Sequence, residues 1–85
     1  MRARKVDANL FEIVCVARRM GFLVNIRNDD FADLDVQFRG IHEAWECKSS
    51  KGRPTKRQMA LAEKGWKIRT VRSVDDVISA RKQLV

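Results

Sequence analysis

Very little in this chain of 85 residues can hold a structural transition metal. It has one histidine, His42, and two cysteines, Cys15 and Cys47, which stand far apart and form no C-x-x-C pair. That is too few ligands for a four-coordinate zinc site. Both cysteines are expected to be reduced and buried in the core. Long apolar runs are missing as well. No stretch approaches the roughly 20 residues that span a bilayer, and the opening "MRARKVDANLFEIV" has no signal-type apolar segment. The expectation is an intracellular, cytoplasmic protein with no membrane partner. Proline occurs once, at Pro54, and no repeat, low-complexity tract or linker interrupts the chain. Residues 1–85 therefore read as a single domain, because a chain this short buries only about 60% of its unfolded surface and leaves nothing for a second core. So small a core would gain stability from a partner subunit.

Acidic residues are outnumbered, 11 against 18 lysines and arginines, for a net charge of +7. Such an excess points to a polyanion, because each phosphate neutralised by Lys or Arg releases counterions. Nucleic acid is the first candidate and an acidic membrane surface the second. The charge is also segregated. From Asn28 to Cys47 there are six acids, Asp29, Asp30, Asp33, Asp35, Glu43 and Glu46, against the single base Arg39. From Lys48 to Arg72 there are nine bases against the single acid Glu63. An acidic block beside a basic one suits a metal cluster set in a phosphate-binding surface, although ordinary solvated loop charge accounts for part of it.

Hydrophobic periodicity gives the element order. Val6, Leu10, Ile13, Val14 and Ala17 recur at helical spacing, with Arg18 and Arg19 near the end and Gly21 placed to stop a helix over about Val6 to Met20. "FLVNIR" reads as a buried strand and "NDDF" as a turn. In "DLDVQF", Leu34, Val36 and Phe38 share one face and Asp33, Asp35 and Gln37 the other. After the "RG" turn, "HEAWECK" sets Trp45 and Cys47 on one face against Ala44, Glu46 and Lys48. The two strands read as a hairpin. "TKRQMALAEKG" follows as a helix, with Thr55 and Gln58 at capping-box spacing and Gly65 as its stop. "WKIRTV" is a strand, and "SVDDVISARKQL" a helix opened by Ser73 and Asp76. The order is αβββαβα, an α/β fold with a mixed sheet flanked by helices.

Period two brings Asp33 with Asp35, and Glu46 with Lys48, onto adjacent faces of that hairpin. Hard divalent cations take carboxylate oxygens together with water and phosphate oxygens, so two or three acids on neighbouring strands form an incomplete shell for magnesium or manganese. A lysine two residues from the acid can hold or help deprotonate a water, or stabilise charge on phosphorus. The competing interpretation is an exposed polar stripe. Lys51, Arg53, Lys56 and Arg57 surround the start of the second helix, whose free amides favour a phosphate, and read as DNA-backbone contacts. Trp45 and Trp66 sit in apolar-periodic strands and are expected in the core rather than stacked on bases, and His42 is expected to be a polar strand-end residue.

Taken together, "ADLDV", then "ECK", then "GRPTKRQ" and the later "GWKIRTVRS" resemble the PD-(D/E)XK nuclease superfamily, and within it the small VRR-NUC branch of virus-type replication and repair nucleases. The resemblance runs from "KVDANLFEIV" to "VRSVDDV", nearly the whole chain. It implies a restriction-endonuclease-like core, Mg2+ or Mn2+ as cofactor, and hydrolysis of phosphodiester bonds in DNA. Asp33 matches the family's metal-binding aspartate, Glu46 its second metal-binding acid, Lys48 its catalytic lysine and Gln58 its glutamine near the scissile phosphate. The backbone carbonyl of Cys47 is a metal ligand by the same analogy, and Asp7 stands where these nucleases often carry a further acid. Ala32 replaces the usual proline before the aspartate, which removes a conformational constraint but no ligand. Asp35 shares the face of Asp33 and is the alternative ligand. Stand-alone members resemble junction-cutting homodimers of phage or bacterial cells, so branched or otherwise structured DNA is the implied substrate. The rival reading is a non-catalytic basic nucleic-acid-binding domain, whose binding weakens with salt and needs no divalent ion.

Overall fold

The computed structural model describes residues 8–27, 29, 31–48, 53 and 55–84. Its elements are α1 (Ala8–Arg19), β1 (Leu23–Ile26), β2 (Leu34–Phe38), β3 (Ile41–Cys47), α2 (Lys56–Glu63), β4 (Ile68–Val71) and α3 (Val74–Leu84). This is the expected αβββαβα order. The strands form one sheet in the order β1-β2-β3-β4, antiparallel from β1 to β3 and parallel between β3 and β4, with α2 as the crossover. A parallel pair requires such a crossover, whereas the antiparallel strands need only tight turns.

The β2–β3 turn is Arg39-Gly40, and both residues have positive φ, 51° and 81°. That is the geometry of a two-residue hairpin turn whose twist matches the strands it joins. It locks the register Phe38↔Ile41, Val36↔Glu43 and Leu34↔Trp45. Strand alternation then sends Leu34, Val36, Phe38, Trp45 and Cys47 to one face, where they join Leu10, Ile13, Val14 and Ala17 of α1 and Val77 and Ala80 of α3 in the core. Phe22 seals that layer, packing at a tilt against Phe38 and edge-on to Trp45 with ring centroids 4.9 and 5.2 Å apart. The indole NH of Trp45 is not orphaned, because it donates to Glu43, which in turn receives Arg69 from β4 at 2.7 and 2.9 Å.

Three local expectations are corrected. The β1 strand is not buried: it is the sheet's edge, and Leu23 is 68% exposed. Only Phe22, just before it, is core. Cys47 is buried as expected, but Cys15 is exposed, since its helical position falls outside the Leu10–Ile13–Val14–Ala17 stripe. Trp66 lies outside β4, in the segment after Gly65, and is 55% exposed.

Because a methyl group at Gly40 would meet no atom within 4 Å, Gly40→Ala isolates the cost of the left-handed backbone. The variant should lose about 1–2 kcal/mol of stability, read as a lowered urea midpoint. An unchanged midpoint would mean that the turn relaxes to another type.

Candidate functional site

The opposite face of the sheet carries the charged residues. Asp33 stands just before β2, whose ladder with β3 ends at the pair Leu34 and Trp45, and its amide donates to the Trp45 carbonyl at 3.1 Å. One Asp33 carboxylate oxygen accepts the Cys47 amide at 2.8 Å, and its charge acts on Glu46 next along the sheet. Glu46 is 2% exposed. Burial, followed by the neighbouring Asp33 carboxylate, pushes its pKa up to about 7, while the Gln58 hydrogen bond and the positive charge of Lys48 pull less strongly the other way. Two carboxylates this close cannot both ionise easily without a cation.

The position of Gln58 follows from its helix. Thr55 caps α2, accepting the Gln58 amide at 3.1 Å, while the Gln58 side-chain oxygen accepts the Thr55 amide at 3.0 Å. With its oxygen engaged, the side-chain nitrogen is turned to the sheet, where it donates to Glu46 at 2.5 Å. A capping box thus aims an amide at the carboxylate pair. Gln58 is also the only buried residue of α2.

Lys48 follows β3, and its backbone amide donates to Val71 at 3.1 Å. The side chain of Asn9 on α1 donates to the carbonyls of Lys48 and Arg72, at 3.2 and 2.8 Å, joining the ends of β3 and β4. Sequence reasoning passed over Asn9. Its signal was a polar residue four positions before Ile13 on an otherwise apolar helical stripe.

Asp35, the alternative ligand, is drawn into a different cluster. It pairs across the sheet with Ala44 and accepts from Asn25, Arg27 and His42 at 3.2 to 3.3 Å. Desolvation tends to raise its pKa, but these hydrogen bonds outweigh it and hold the carboxyl below its ordinary value. Arg53, Lys56 and Arg57 are exposed at the start of α2. Asp7 and Lys51 lie outside the described residues. Among the described residues, no three His, Cys, Asp or Glu side chains gather into one cluster, so the donor set there is the Asp33–Glu46 pair. That pair fits magnesium or manganese, which bind through one or two carboxylates and complete their shell with water and phosphate.

No protein-family model, curated protein or solved structure matches the chain. The functional reading therefore depends on the geometry of the site itself.

Two measurements check this geometry. Glu46 binds its proton more tightly in the folded chain than in the unfolded one. Its contribution to stability is therefore full below about pH 4.5 and is lost as pH rises toward about 7. In chelator, the unfolding free energy should fall across that window by on the order of 2 kcal/mol, and Glu46→Gln should flatten the slope. A flat wild-type profile would mean that the carboxylates are not in contact. Gln58→Ala removes both a cap contact and the partner of a buried carboxyl, and should lower stability by about 1–3 kcal/mol in urea. Stability equal to wild type would show that α2 is held by something else.

Proposed function

We propose that the chain is a magnesium- or manganese-dependent endonuclease that hydrolyses phosphodiester bonds in DNA, with branched or junction DNA as its substrate and a homodimer as its working form. The observation that carries this reading is the buried Glu46, held beside the Asp33 carboxylate and aligned by Gln58, with the basic start of α2 close by in the chain. A merely solvated stripe would leave Glu46 in water. Instead the fold tolerates a costly buried carboxyl beside a second one, a pattern that clusters at functional sites.

In this reading Asp33, Glu46 and the Cys47 carbonyl hold the cation, which, when bound, polarises the phosphate and lowers the pKa of water. Lys48, next to the pair, orients the attacking water or offsets charge on the phosphoryl group. Gln58 keeps Glu46 in the ligating orientation. Arg53, Lys56 and Arg57 grip the backbone on either side, helped by the positive end of the α2 dipole. None of the described helices is long and apolar enough to cross a membrane.

The alternative, a non-catalytic nucleic-acid-binding domain, draws on the same exposed Arg53, Lys56 and Arg57 and requires no carboxylate. Incubation with linear, flapped and four-way-junction DNA separates the two. Cleavage should appear with magnesium or manganese and vanish in chelator. Lys48→Ala and Asp33→Asn should each lose at least about a hundredfold in rate, and Asp35→Asn should keep most of it. Metal-independent products, or full activity in Lys48→Ala, would sink the mechanism. Salt-sensitive binding without cleavage would leave the binding domain. Sedimentation as a monomer at micromolar concentration with activity intact would remove the dimer.

A further inference from the structure

A cleft of about 880 Å³ opens between α2 and the charged face of the sheet, and Glu46 and Gln58 belong to its lining. Of the carboxylate pair, Glu46 is the member that reaches it. Apolar groups make up much of the lining, Ala44 and Ile68 from the sheet, Met59 and Ala62 from α2, and the rings of Phe31 and Trp66, with Arg27, Lys67 and Arg69 among the polar residues beside them. Its volume lies in the range of about 300–1,000 Å³ typical of small-molecule-sized sites. Gln58 being the only buried residue of α2, the helix spans this space without filling it.

Trp66 is the largest side chain there and is 55% exposed. Its backbone is nevertheless fixed. The Gly65 amide donates to the Ala62 carbonyl at 3.0 Å and the Trp66 amide to the Leu61 carbonyl at 3.1 Å. With Gly65 at φ 100°, these are the two bonds of a Schellman motif. The indole meets Phe31 edge-to-face, at 5.4 Å between centroids and 85° between planes. The Arg27 guanidinium lies 4.9 Å from the Phe31 centroid on that ring's face. A rigidly mounted, half-open aromatic pair is therefore presented in the same cleft as Glu46. Lys64 and Lys67 flank Trp66 in sequence, and Lys56 and Arg57 open the helix, all of them exposed.

An apolar, aromatic floor with a basic rim matches the two halves of a nucleotide, a flat base with a π-face and an anionic phosphate. Taking the site as a nuclease, we infer that this cleft receives an unpaired base next to the scissile phosphate, stacked on Trp66. The base must leave its duplex to reach the indole, and unstacking costs least where pairing is already absent. The preferred substrate is then DNA with a single-stranded nucleotide beside the cut, and Trp66 is the residue that selects it.

The test has a binding arm and a cleavage arm. In chelator, a short single-stranded DNA should quench the exposed indole against the constant background of Trp45, which is fully buried. A strand made of abasic nucleotides should not quench. Trp66→Ala should bind the normal strand about tenfold more weakly, Trp66→Phe near wild type, and the alanine defect should disappear on the abasic strand. With magnesium, wild type should cut a duplex carrying an unpaired nucleotide beside the cut about tenfold faster than the fully paired duplex, and Trp66→Ala should lose that preference. Equal quenching by the abasic strand, or an unaltered preference in Trp66→Ala, overturns the stacking site while leaving the nuclease standing. Base-dependent quenching without cleavage of any DNA supports the stacking site and removes the nuclease. A blue shift of Trp66 emission as protein concentration rises without DNA, accompanied by dimer sedimentation, would mean that a second copy covers the cleft, and overturns the inference.

Discussion

The register of the β2–β3 hairpin is the constraint on which the rest of this structure depends. Because side chains alternate along a strand, a slip of one residue would carry Trp45 to the outer face and Glu46 into the core. The burial of Leu34, Val36 and Trp45 between the sheet and the two helices α1 and α3 forbids that slip. Asp33 and Glu46 are therefore held beside each other as a by-product of core packing. The hydrophobic effect that stabilises the fold also keeps two carboxylates together against their mutual repulsion.

On the other face the balance is different. The α2 helix brings no apolar stripe to the sheet, and its buried contact is the amide of Gln58 on Glu46. Its ends are well determined, by a capping box at Thr55 and a Schellman motif at Gly65. A helix with defined ends and a single polar tether can sit above a cleft instead of closing it. This explains how so small a domain keeps large apolar side chains, Met59 and Trp66, open beside its carboxylates.

Much of this was legible in the residues. Clean alternation in "DLDVQF" and "HEAWECK" and the Thr55–Gln58 spacing each reflect one local rule, and the elements follow them. Where the reading failed, a local pattern was taken for a global one. "FLVNIR" is apolar enough for a central strand, but burial depends on having a neighbour on both sides, and β1 has one. Trp66 adjoins an apolar strand in sequence, yet Gly65 turns the chain so that the ring lands on the outer face of the domain. Asp33 and Asp35 are equivalent by period two. They differ only because Asp33 accepts the Cys47 amide and acts on Glu46, whereas Asp35 stands across from Ala44 and within reach of Arg27 and His42.

The sequence by itself determined the order of helices and strands, the caps of α2 and the polar faces of β2 and β3, because periodicity, caps and left-handed glycines act within a few residues. Tertiary structure alone decided that Glu46 is buried with its pKa raised, that Gln58 reaches it across the β3–α2 connection, and that Trp66 shares its cleft. Those are consequences of long-range pairing and of how completely one helix covers a sheet, and no local spacing encodes either.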